Sequence, residues 1–162
     1  MAISRIPARA ATRAGVDPLS RIDAAIAGSQ DALLLVARVA LAAIFVQSGL
    51  SKLTDLDGFV AGMDAQGVPA AALLAPLGAV VEFFGGVALV VGAYARPAAL
   101  AVAGFTVVAT LIAHRFWAYP AEQQAMQSTQ FMKNLAITGG LLALAVAGAG
   151  RFSVDAAVRR RA

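Results

Sequence analysis

Residues 79–92 read AVVEFFGGVALVVG. One carboxylate, Glu82, interrupts a stretch otherwise suited to hydrocarbon, and its flanks extend the apolar run to about residues 70–93. A helix needs about 20 predominantly apolar residues to span a bilayer. Three further runs, near 31–50, 97–114 and 131–149, approach that length. None keeps the polar stripe of a soluble helix. The whole chain agrees with its parts: 60% of its 162 residues are hydrophobic and 14% charged, with a mean hydropathy of +0.77. A soluble domain of this length is more polar. The expected fold is all-α, an integral membrane four-helix bundle.

The basic residues predict its orientation. If the helices alternate in direction, Arg5, Arg9, Arg13, Arg21, Arg96, Arg151, Arg159, Arg160 and Arg161 share one side, against Lys52, Arg115 and Lys133 on the other. By the positive-inside rule both termini and the 94–97 turn are cytoplasmic, and the connections near 51–69 and 115–130 face outward. A sequence pI near 10.3 would also suit nucleic acid. These arginines flank membrane spans, however, which fits topology signals and contacts with anionic membrane lipid, and no nucleic-acid partner is expected.

Four segments follow from this pattern. Residues 1–15, MAISRIPARAATRAG, read as a disordered basic arm, without acidic residues and without the apolar core of a secretory signal. An organelle transit peptide has a similar composition; the bacterial inner membrane is the expected location. Residues 16–30 predict an interfacial amphipathic helix, capped by Asp17, with Pro18 in its first turn and Leu19, Ile22 and Ile26 on one face. Residues 31–155 hold the four spans, and 156–162 form a basic tail.

The chain has no cysteine and one histidine. Thiol–disulfide exchange, thiolate nucleophiles, iron–sulfur ligation and bis-histidine haem within one protomer are thereby excluded, and no metal site is expected. Neither a Walker loop, a GxGxxG fingerprint after a strand nor a GxSxG elbow is present. What remains informative is the polar residues stranded in or near apolar runs, where a charge costs about 2.5–3.5 kcal/mol on insertion scales and usually pairs or lines a cavity. Arg38 in the first span is expected to reach across to Glu82 in the second. Gln47, Lys52, His114, Trp117 and Asn134 are expected to form a polar outer mouth, with Lys133 reaching to the headgroups. Plainer roles stand beside these: a register clamp for Arg38 and Glu82, interfacial anchoring for Trp117 and Tyr119, and close helix packing for Gly85, Gly86, Gly139 and Gly140.

The order of RVALAAIFVQSGLSKLTDLDGFVAGMDAQGVP, EFFGGVALVVGAYAR, HRFWAYP, FMKNLAITGGLL and GAGRFSVD resembles the DoxX family of small four-helix membrane proteins, over about residues 31–155. The resemblance implies a subunit of a membrane oxidoreductase that delivers electrons to quinone. Carried over by position, the family-like set is Arg38, Gly49, Lys52, Glu82, Gly86, His114, Trp117, Lys133, Asn134, Gly139 and Asp155. The missing cysteines set the chain apart from related redox proteins that work through a thiol pair. In the expected scheme Glu82 and His114 are the catalytic proton carriers. Arg38, Gln47, Lys52, Trp117 and Asn134 bind the substrate, a quinone is the one cofactor considered, and a partner redox protein supplies electrons. The alternative is a non-catalytic membrane scaffold for a redox or stress-response enzyme. A transporter is less well supported, for want of clear inverted repeats. Glycine-rich faces permit homo-oligomers without specifying their stoichiometry.

Overall fold

The computed structural model describes residues 17–161, and all of their regular structure is helical. The elements are α1 (Pro18–Thr54), α2 (Leu56–Ala65), α3 (Ala71–Val91), α4 (Ala95–Ala113), a 3-10 turn (Phe116–Ala118), α5 (Ala121–Ala147) and α6 (Val154–Arg159). Four helices, α1, α3, α4 (continued through the 3-10 turn) and α5, are long and apolar enough to cross a membrane. By its contacts the chain divides into two units, Met1–Gln30 and Asp31–Ala162.

The element boundaries refine the sequence expectations. The segment expected as a separate amphipathic helix is the start of α1, because nothing between Pro18 and Thr54 breaks the helical hydrogen bonding. Its first turn is closed by the Asp17 carbonyl, which accepts from Arg21 N at 3.3 Å and Ser20 Oγ at 2.6 Å, and Leu19, Ile22 and Ile26 stay exposed. The fourth span begins about ten residues earlier than its apolar run. Glu122, Gln123, Gln124 and Gln127 lower its hydropathy, but they are good helix formers following Pro120. The expected basic tail is helical to Arg159, since Ser153 Oγ accepts from Ala156 N and caps α6. The basic arm, residues 1–15, lies outside the described residues.

Lipid tails are as apolar as leucine, so helices in a membrane associate through close packing rather than by escaping water. The sequence meets that constraint with small residues. Ala42, Phe45, Leu89, Ala99, Val102, Ala103, Leu141 and Leu144 form the core, while Leu33, Val36, Leu73, Phe84 and Val146 face outward. A close backbone approach joins α1 to α3. A Cβ on Gly49 would stand 2.5 Å from Phe83 N, and one on Gly86 would stand 3.0 Å from Phe45 Cβ and Val46 N. Gly85 lies against Val102 and Gly140 against Leu41, whereas Gly139 has open space. The two helices are antiparallel, so a step toward the start of α1 is matched by a step toward the end of α3. Gly92, just past α3, accordingly meets the guanidinium of Arg38.

That register overturns the expected Arg38–Glu82 pair. Glu82 lies next to Phe83 at the level of Gly49, ten residues before Gly92, roughly 15 Å along the axis at 1.5 Å per residue. Arg38 is fully buried and turns instead to the chain after α5: Nη1 donates to the Ala149 carbonyl at 2.7 Å and Nη2 to the Phe152 carbonyl at 2.8 Å. This segment and the elements that flank it, the last turn of α5 and the start of α6, are held from three other directions. Asp31 Oδ1 accepts from Arg151 N at 2.7 Å, Arg96 Nη1 donates to the Ala145 carbonyl at 3.0 Å, and Asp155 N donates to the Gly92 carbonyl at 3.0 Å. Asp155 in turn accepts from Tyr94 N at 2.7 Å and Ala95 N at 2.9 Å. A carboxylate thus caps the N-terminus of α4, and it supports Tyr94 in the left-handed conformation (φ 47°) that non-glycine residues rarely adopt. The contact of Arg151 with Asp31 also places the start of the first span of this unit and the end of the fourth at one end of the bundle, here the α6 end.

Two outcomes test this account by thermal unfolding in detergent. Gly49→Ala is expected to lose about 1–3 kcal/mol through overpacking, while Gly139→Ala loses none. Arg38→Met is expected to destabilise by about 3 kcal/mol or more, because two charged hydrogen bonds are each worth about 1.5–3 kcal/mol; Arg38→Lys recovers only part of the loss.

Candidate functional site

At the opposite end, α3 begins beyond the end of α1, as the Gly49–Phe83 register requires, and α2 packs on α3. Beneath α2 lies a cleft of about 570 Å³, lined by residues of α1, α2, α3, α4 and α5. Its walls are mostly apolar and its polar groups are few: Ser48 and Lys52 from α1, Gln66 after α2, Glu82 from α3, His114 at the end of α4, and Lys133 and Asn134 from α5.

Lys52 and Glu82 form an ion pair in which the carboxylate is buried and the ammonium half-buried. Helix geometry brings them together. Side chains lean toward the N-terminus of their own helix, so on antiparallel helices Lys52 leans inward and Glu82 leans toward the α2 end, and the two converge. Phe59 of α2 places its ring 5.1 Å from Lys52 Nζ, a cation–π contact that ties α2 to the pair. A carboxylate at this depth is therefore tolerated because α1 supplies its counter-charge from within reach.

Behind Asn134, which lines the facing wall, runs a chain of neutral hydrogen bonds buried between α4 and α5. Asn134 Nδ2 donates to Thr110 Oγ1 at 2.9 Å, Thr110 Oγ1 donates to the Thr106 carbonyl at 2.6 Å, and Thr106 Oγ1 donates to the Val102 carbonyl at 2.7 Å. Since α5 starts at Ala121, Asn134 lies roughly 20 Å along it at 1.5 Å per residue. Nearer the end, His114 Nδ1 and Gln127 Oε1 are 2.8 Å apart, and Tyr119 OH donates to the Ala113 carbonyl at 2.9 Å. The early start of α5 is what puts Gln127 opposite His114.

Of the seven residues expected at the site, four line the cleft: Lys52, Glu82, His114 and Asn134. Arg38 belongs to the opposite end. Gln47 is exposed, because the face of α1 toward the cleft carries Phe45, Ser48 and Lys52, and Gln47 falls off that stripe. Trp117 is 57% exposed and packs edge-to-face on Phe116 and Phe131 rather than entering the cleft. Lys133 is exposed at the cleft's edge. Ser48, Phe59, Gln66, Thr110 and Gln127 escaped the sequence reading. For Ser48 a signal was available, its phase with Phe45 and Lys52; for the others the partner elements had first to be placed.

The rim is as informative as the interior. Leu74 and Leu77 of α3 and Ala101, Gly104 and Val108 of α4 line the cleft and are exposed. These are exposed positions on two membrane-capable helices, so the cleft opens sideways along the spans while the Lys52–Glu82 pair stays inside.

Comparison with known proteins agrees with this architecture. The DoxX family model matches residues 33–115. Inner membrane protein YqjF of Escherichia coli is 37% identical over 132 residues, 82% of this chain and 96% of the relative. Inner membrane protein YphA of the same organism is 33% identical over 123 residues, 76% of this chain and 88% of the relative. No solved structure matches the chain. With four membrane-capable helices and likeness to inner-membrane proteins over most of its length, the chain is a multi-pass inner-membrane protein and belongs to the DoxX family.

Proposed function

We propose that the cleft receives a quinone headgroup and that the chain is the membrane subunit of a quinone-linked oxidoreductase system. The observation that carries this reading is the combination in one cleft of a lipid-facing apolar rim and a buried Lys52–Glu82 pair. A ligand of that shape arrives from the hydrocarbon and carries polar atoms at its leading end. The fit is reasonable on two counts. The volume of about 570 Å³ lies within the range of small-ligand pockets, about 300–1,000 Å³. Donors also stand on different walls, Lys52 on α1 and Asn134 on α5, as two carbonyl oxygens across a ring require.

A bound quinone supplies the electron-accepting chemistry, taking up two electrons and two protons. In this reading Lys52 orients one carbonyl oxygen by a charged hydrogen bond, and Asn134 uses the amide hydrogen not engaged by Thr110 to bind the other. Glu82, ionised beside Lys52, accepts and passes on a proton during turnover, and His114 connects the cleft to the α2 end, where protons exchange with water. With no cysteine and one histidine in the chain, the electrons come from a partner redox protein. The α6 end faces the cytoplasm in the proposed orientation. Arg96, Arg151, Arg159, Arg160 and Arg161 lie there, against Lys52, Arg115 and Lys133 toward the α2 end.

The test is extraction and quantitation of quinone from gently solubilised full-length protein. A stoichiometric quinone is expected in the wild type, with binding weakened at least about tenfold in Lys52→Met through loss of a charged hydrogen bond. Wild-type protein free of quinone, but carrying a defined protein partner, would overturn the reading in favour of a scaffold. In membranes with quinone-linked turnover, Glu82→Gln is expected to leave the protein in place and to slow turnover about a hundredfold, the scale of a lost proton carrier.

A further inference from the structure

The α6 end holds a second cavity, of about 500 Å³, which plays no part in the quinone reading. It is open and polar, and three guanidinium groups line it from three different elements: Arg96 from the first turn of α4, Arg151 from the segment after α5, and Arg159 from the end of α6. One carboxylate, Asp155, shares the lining, and both of its oxygens already accept backbone hydrogen bonds from Tyr94 N and Ala95 N. A second carboxylate, Asp31, stands 3.4 Å from Arg151 Nε, so three guanidinium groups face two carboxylates and positive charge remains in excess.

Its depth identifies what it meets. The cavity lies just beyond the ends of two spans, at α4's start and α5's finish. Around it stand exposed apolar and aromatic side chains that water would not favour: Tyr94 is 80% exposed, Val158 61% and Phe152 47%. An aromatic and apolar fringe beside arginines is the composition of the headgroup layer, where basic pockets at span ends bind anionic lipid. We infer that this cavity is a binding site for the phosphodiester of an anionic phospholipid, with Arg151 and Arg159 as its principal ligands and the acyl chains running down the outer faces of α4 and α5. Arg96 braces the site through its hydrogen bond to the Ala145 carbonyl.

Native mass spectrometry of the full chain, titrated with phosphatidylglycerol or phosphatidylcholine, tests this. Retention of phosphatidylglycerol over phosphatidylcholine is expected, reduced about fivefold by either Arg151→Gln or Arg159→Gln and about thirtyfold by both, the scale of one arginine's attraction at a membrane surface. The double variant Arg160→Gln, Arg161→Gln, which removes equal charge outside the cavity, is expected to change retention little. An equal loss in that control, or equal retention of the two lipids by the wild type, would overturn the site. Displacement of bound phosphatidylglycerol by millimolar inorganic phosphate would show that the cavity selects free phosphate and overturn the lipid assignment. Arg159→Gln alone, at the exposed end of α6, keeps the test decisive if Arg151→Gln weakens the Asp31 contact and unfolds the protein.

Discussion

The close antiparallel approach of α1 and α3 fixes nearly everything else in this bundle. In hydrocarbon, apolar side chains gain little by finding one another, so contact distance decides which helices associate and in what register. Gly49 against Phe83 and Gly86 against Phe45 and Val46 leave no room for a slip along the axis. Once that register is set, Lys52 is the cation within reach of Glu82, and Arg38 is carried to the other end, beside Gly92. Two charges that would each be prohibitively expensive alone in the membrane are thereby given separate partners.

The two ends of the domain use their polar groups differently. At the α6 end, apart from the exposed Arg151–Asp31 pair, side chains bind backbone: Arg38 to two carbonyls, Asp155 to two amides, Arg96 to the last turn of α5. Such contacts fasten chain segments and leave little latitude. Around the cleft, side chains bind side chains, as in Lys52 with Glu82, Asn134 with Thr110, and His114 with Gln127. These groups can exchange a partner for a ligand without releasing the backbone. The fold therefore concentrates rigidity at one end and chemical availability at the other, which suits a site that must admit and release a lipid-soluble molecule.

How far the sequence foretells this depends on the range of the interaction. Four spans were readable because hydrophobic length is a local property, and the need for a partner to Glu82 followed from burial cost. The identity of that partner was not readable, since Arg38 and Lys52 are both cations on the same helix and only the glycine contacts between α1 and α3 distinguish them. Similarly, Gln127 sat in what read as a connection, because glutamines depress hydropathy while favouring helix. Its proximity to His114 emerged only with the true start of α5. Gln47 and Trp117 were drawn in by their polarity and position, which say how deep a residue lies but not which way it points.

The contrast between backbone-directed and side-chain-directed bonds has a consequence for how such a protein can drift in evolution. Ala149 and Phe152 meet Arg38 only through their carbonyl oxygens, which every residue possesses, so no substitution at those positions can compensate for losing the guanidinium. Arg38 is bound to persist alone, without a covarying position. Lys52 and Glu82 contribute side chains to their bond, and one can be replaced if the other changes with it. Across diverging relatives, correlated substitution should mark the cleft, whereas the α6 end should register as isolated invariance.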